Sequence, residues 1–166
     1  MFSPASFSKK NLIQFTCLLL LTGGLLASCK DSSVYDRSKS VPDNNWSYKD
    51  KKDNYIEITD TKSAYNLFFN VRITNNYKYS NMFVLLHIFS PKASDVRTNR
   101  LEFKLASPDG QWLGAGSGTV YSYRIPFAQN VKFDKPGVYN FQLEQNMREQ
   151  PLSDVVDAGL RIEKVQ

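Results

Sequence analysis

The chain has 166 residues, 21 of them Lys or Arg and 16 Asp or Glu, for a net charge of +5. The positive charges are interleaved with negative ones, as in Lys49-Asp50-Lys51-Lys52-Asp53, which makes a solvated segment and excludes a continuous track for nucleic-acid phosphates. Only two cysteines are present, Cys17 and Cys29, too few for the disulfide framework of small secreted domains.

The amino terminus has the parts of a bacterial lipoprotein signal peptide: basic Lys9 and Lys10, an apolar run from Leu12 to Leu26, and the lipobox Leu26-Ala27-Ser28-Cys29. The run is interrupted by Gln14 and Thr16 and is shorter than the roughly 20 apolar residues that a membrane-spanning helix needs. The other reading is a retained amino-terminal anchor with Cys29 an ordinary cysteine. By similarity to bacterial lipoproteins, cleavage between Ser28 and Cys29 leaves Cys29 as the first mature residue, carrying a diacylglyceryl thioether and an amide-linked acyl chain. Each buried methylene contributes about 0.8 kcal/mol, so two or three long chains hold a protein on a membrane permanently. Loss of residues 1–28 removes two basic residues and no acidic one, leaving 138 residues with 19 positive and 16 negative charges. That length suffices for one domain with a true core and no disulfide.

Three regions are therefore expected: a signal peptide over 1–28, a lipidated cysteine with a flexible tether over 29–45, and a β-sandwich domain over 46–166. The tether is polar and aperiodic and contains Pro42. Its opening Lys30-Asp31 resembles the start of a surface-export signal of some Bacteroidetes lipoproteins, but Ser32 stands where a second acid is expected, so the periplasmic and surface faces both stay open.

From Asn54 onward the pattern has period two. Tyr65, Leu67, Phe69, Val71 and Ile73 share one face of a strand and Asn66, Phe68, Asn70, Arg72 and Thr74 the other. Met82 to Phe89 is apolar on both faces, which predicts a central strand with His87, the single histidine, packed in the core. Leu101, Phe103 and Leu105 alternate up to a Ser107-Pro108-Asp109-Gly110 turn, which predicts a hairpin. Two further strands carry Tyr121, Tyr123, Ile125 and, beyond the Lys135-Pro136-Gly137 turn, Tyr139, Phe141, Leu143. Leu152 to Asp157 is expected to form one helical turn capped by Ser153 before a last strand at Leu160 and Ile162. Seven or eight short strands without helical crossovers predict an all-β fold, an antiparallel β-sandwich of jelly-roll or immunoglobulin-like order, with a barrel as the other solution to the same pattern.

No motif for chemistry stands out. Gly114-Ala115-Gly116-Ser117-Gly118 lacks the spacing and the following helix of a nucleotide loop, and Ser117 lacks the glycines of a nucleophile elbow, so a flexible loop is expected there. His87 has no recognisable nucleophile and orienting partner, and Asp154 and Asp157 have no metal-ligand companions, so neither catalysis, a metal nor a cofactor is expected. Trp46, Trp112 and nine tyrosines suit either protein interfaces or stacking on sugar rings. Trp112, after a turn and before three glycines, is the preferred surface contact, with Gly114, Gly116 and, near the far end, Arg148 as companions in partner binding.

In order and number, several short stretches make the mature chain resemble the gliding motility lipoprotein GldH family of the Bacteroidetes. They are Cys29, Trp46, Asp60-Thr61 to Tyr65-Asn66, Arg72 through Asn75, Tyr77, Tyr79 and Asn81, Gly110-Gln111-Trp112-Leu113-Gly114, Gly137-Val138-Tyr139 to Met147-Arg148, and Asp157 to Glu163. The resemblance implies an outer-membrane-associated lipoprotein of the gliding machinery, which overlaps with protein secretion, and it brings no catalytic residues. The function expected is non-enzymatic docking onto other envelope motility or secretion proteins, from a lipid-anchored domain. A glycan-binding surface lipoprotein of a nutrient-capture system is the alternative.

Overall fold

Strands and one short 3-10 turn at Pro42–Asn44 make up the regular structure of the computed structural model, which describes residues 32–91 and 96–165. The expected signal peptide, its cleavage point at Ser28 and Cys29, and tether residues 30 and 31 lie outside the described residues. In chain order the strands are β1 (Ser33–Ser40), β2 (Asn45–Trp46), β3 (Lys52–Ile58), β4 (Tyr65–Thr74), β5 (Asn81–Phe89) and β6 (Val96–Lys104). They continue as β7 (Ala115–Ser117), β8 (Val120–Val131), β9 (Gly137–Gln145), β10 (Leu152–Ser153) and β11 (Val155–Lys164). Two antiparallel sheets result, a first of order β1-β11-β4-β8-β7 and a second of order β3-β9-β5-β6, with β2 and β10 forming a separate short pair.

Counted as the eight long strands alone, the sheets run 1-8-3-6 and 2-7-4-5. Every connection crosses between sheets except the β5–β6 hairpin, and this is the order of a jelly roll rather than of an immunoglobulin domain or a closed barrel. The core lies between the sheets. The inward residues of β4 (Tyr65, Leu67, Phe69, Val71 and Ile73) are all buried, as their alternation predicts, and Phe69 stacks on Phe103 of the opposite sheet at 4.3 Å between ring centres. Trp46 is fully buried and its indole N–H donates to the Asp50 carbonyl at 2.9 Å.

The structure corrects three expectations. Ser33–Ser40, expected in the tether, is an edge strand paired with β11 from Ser33↔Glu163 to Ser40↔Asp157. It shows no sequence period because most of its side chains are exposed; its backbone ladder holds it, with the Tyr35 hydroxyl donating to Asn54 Oδ1 (3.1 Å) and Lys52 Nζ donating to the Ser40 carbonyl (2.8 Å). Gly159 permits the approach, since a Cβ there would run into the Arg37 carbonyl. The expected helical turn at 152–157 is instead β10, a turn at Asp154 (φ 67°) and the start of β11. A register shift between Val155 and Asp157 lets Leu152 and Val155 both face the core, which imitates helical spacing. Finally, β5 is central, but it alternates: Met82, Val84 and Leu86 are buried while Phe83, Leu85 and His87 are half-buried on the outer side.

Candidate functional site

The glycine-rich stretch proves to be structured. Ala115–Ser117 pairs with β8 through Gly116↔Tyr121, and the turn between them is made by Gly118 (φ 64°) and Thr119. Gly114 and Gly116 are spacers for rings: a Cβ on Gly114 would stand 2.7 Å from the Tyr123 ring, and one on Gly116 3.1 Å from Tyr121. Trp112 is half-buried against the core, and a row of aromatic rings runs from Tyr79 to Tyr77 (5.7 Å), Trp112 (6.3 Å) and Tyr121 (5.8 Å). Burial pushes the Tyr77 hydroxyl well above the usual tyrosine range, so it stays protonated and donates to the Asn81 carbonyl at 3.1 Å.

Arg148 joins this end of the domain only through its neighbour. Glu149 accepts from Lys78 Nζ and from the Tyr79 hydroxyl, each at 2.9 Å, and these bonds hold its carboxyl below the usual range. Arg148 itself is exposed. Thus Trp112, Gly114 and Gly116 do come together, but as a packed aromatic end, and a flat ring open for stacking on a sugar is not what Trp112 offers.

The outer side of the second sheet, which no sequence motif marks, carries a cross-strand apolar row. Tyr55 lies opposite Asn140, Asn140 opposite Phe89, and Phe89 opposite Val96, so the row spans all four strands. Its apolar members are open to solvent (Tyr55 64%, Phe89 37%, Val96 46%), and Val138, two residues from Asn140 on the same face, is 54% exposed. The next row is polar and internally satisfied. Asp53 accepts from Asn140 (2.8 Å) and Gln142 (2.7 Å), His87 Nδ1 pairs with Thr98 Oγ1 and its Nε2 with Glu144 Oε2 (2.9 Å each), and Lys51 bridges to Glu144 at 2.9 Å. Burial works against the charge of Glu144, but the bonds from Lys51 and His87 outweigh it and keep the carboxyl below its usual range.

His87 therefore has the two partners that sequence reading did not find for it. A hydroxyl from β6 and a carboxylate from β9 on opposite ring nitrogens hold the imidazole in place on the sheet. Here β5 is paired on both sides, so its main-chain N–H groups are engaged in the ladders. The arrangement fixes these side chains on the outer side of the second sheet, beside the apolar row. The signal available in the sequence was parity: His87 is odd-numbered in a strand whose even positions are the core ones.

The outer side of the first sheet differs. Asp36 of β1 accepts from Asn70 (2.8 Å) and pairs with Arg124 (3.1 Å) and Arg161, tying four strands together. Arg72 donates through Nε to the buried Asp157 at 2.6 Å, while Asp154 accepts from Thr74, so the two carboxylates serve different partners. Among the described residues, no group of three or more His, Cys, Asp or Glu is placed to hold a metal ion.

Residues 33–162 match the family model described as GldH lipoprotein. The chain is 36% identical over 155 residues to a gliding motility lipoprotein GldH homolog of Christiangramia forsetii, covering 89% of this chain and 93% of the relative. It is 33% identical, also over 155 residues, to the gliding motility lipoprotein GldH of Flavobacterium johnsoniae, covering 89% and 94% respectively. No solved structure matches. The matched region begins at β1, in agreement with a domain that starts well before Trp46.

Proposed function

The chain belongs to the GldH lipoprotein family, and from that premise we propose that it is a non-enzymatic, lipid-anchored component of the gliding motility machinery at the outer membrane. It acts by docking: the acyl chains on Cys29 hold the jelly roll at the membrane, and the outer side of the second sheet binds an envelope protein of the apparatus. The exposed row of Tyr55, Phe89 and Val96 with Val138 beside it carries this reading, because side chains of that kind left together on a sheet surface gain free energy when a partner covers them. Asp53 and Glu144 beside the row are already bonded to Asn140, Gln142, Lys51 and His87, so the fitting partner presents an apolar patch.

Two substitutions test it in cells. Changing Val138→Asp and Phe89→Asp together places charge in the row at exposed positions, so the domain still folds while colony spreading and recovery of envelope partners after crosslinking are lost. Unchanged spreading and recovery in that variant would reject the docking face. A Cys29→Ala chain should persist as a larger, unlipidated precursor and fail to spread; equal acyl labelling of mutant and wild type would reject the anchor.

A further inference from the structure

The two side seams of the sandwich are closed to different degrees. At one, β1 lies against β3 and polar bonds from Tyr35 and Lys52 stitch the sheets together. At the other, β6 and the second half of β8 have no strand beyond them among the described residues, and a cavity of about 540 Å3 opens between the sheets. That volume falls within the roughly 300–1,000 Å3 of small-molecule sites.

The cavity changes chemistry along its depth. On the inner side of β6 the residues run Phe103, Leu101, Asn99, Arg97, from buried and apolar to exposed and charged. A sandwich whose sheets met fully along this seam would place apolar residues at all four positions. The deep wall is Leu86, Phe127 and Phe141, and Phe127 meets Phe103 edge-on at 6.2 Å. At the mouth stand Arg97 and Lys132, neither of which forms an ion pair among the described residues, against one lining carboxylate, Asp134.

We propose that this seam is a binding site for a single long acyl chain with an anionic head, its tail between the sheets and its carboxylate or phosphate on Arg97 and Lys132. Apolar depth supplies the hydrophobic part of the affinity, and two cations at the rim supply the preference for a negative head. The competing explanation for Arg97 and Asn99 is protection of an edge strand by inward-pointing polar residues, which requires no ligand.

The test uses the full-length protein in phosphatidylcholine vesicles with a photoreactive palmitic acid, and adducts are mapped by mass spectrometry. Labelling is expected on residues 96–104 and 126–133. Ala128→Trp, which fills the cavity, should abolish it, and Arg97→Glu at an exposed position should lower it roughly fivefold. Excess unlabelled palmitate or monoacyl phosphate should compete, identifying a carboxylate or a phosphate head by which is stronger, whereas palmityl alcohol should compete poorly. Thermal unfolding of both variants confirms folding. Labelling unchanged in Ala128→Trp and Arg97→Glu, or equal competition by the alcohol, would overturn the proposal in favour of edge protection.

Discussion

The two solvent-facing sides of the sandwich are made from the same alternating strands and carry opposite chemistry. On the first sheet, Asp36, Arg124, Arg161, Asn70, Arg72 and Asp157 are joined across strands by hydrogen bonds and ion pairs. On the second, Tyr55, Phe89, Val96 and Val138 stand open to water beside a polar row that is already satisfied. A face whose polar groups bond one another has little left to offer a partner, whereas an exposed apolar row gains from being covered. On the proposed function, interior packing and the first face serve stability, and the second face is the one offered for association.

That division makes separable demands on variants. The largest stability loss should come from between the sheets: Phe69→Ala empties a fully buried ring site and is expected to cost about 3–5 kcal/mol, measured by urea unfolding. Trp112→Ala should cost about 2 kcal/mol, since a half-buried ring loses only part of a full burial, through the Tyr77 and Tyr121 contacts. If it instead leaves stability untouched and abolishes partner recovery, Trp112 is a contact and the division is misplaced.

Arg72→Ala strands the buried Asp157 carboxylate and is expected to cost about 1–2 kcal/mol, less than a fully buried pair because the guanidinium is half-exposed. Partner recovery should not change. Acid should act through Glu149 and Asp60. Lys78 and Tyr79 hold the first below its usual range, and Lys164 and Ser63 the second. A carboxyl lowered in the folded state contributes stability that is complete above its unfolded pKa, near 4, and that is lost as pH falls through the folded value. Melting temperature followed from pH 7 to pH 3 should therefore drop below about pH 4, and Glu149→Gln should flatten that drop. The smallest effect belongs to Arg148→Ala, an exposed change expected to stay within about 0.5 kcal/mol.

Legibility in the sequence followed burial. Where one side of a strand is buried and the other wet, as in β4 and β9, the alternation is plain and the structure agrees residue by residue. It fades at the edges. β1 and the Val96–Arg100 half of β6 are largely exposed, so no period marks them, and only the ladders with β11 and β5 reveal them as strands. In β5 the outward Phe83 and Leu85 are themselves apolar, which hid the parity that places His87 outside. The glycines at 114 and 116 read as flexibility because a ring packed over a missing Cβ leaves no trace in composition. The exposed apolar row was illegible for a related reason: Tyr55, Phe89, Val96 and Val138 are scattered over four strands, and only register aligns them.

The claim that association belongs to the second sheet is met most directly by site-specific photocrosslinking in gliding cells. A photoreactive amino acid is placed at Val138 or Tyr55 and, for comparison, at Arg124 or Ser38 on the outer side of the first sheet. Adducts to a second envelope protein are expected from Val138 and Tyr55 alone, and they should vanish when Phe89→Asp is added to the Val138 probe. Adducts from Arg124 or Ser38 instead, or adducts from Val138 only to another copy of the same chain, would contradict it.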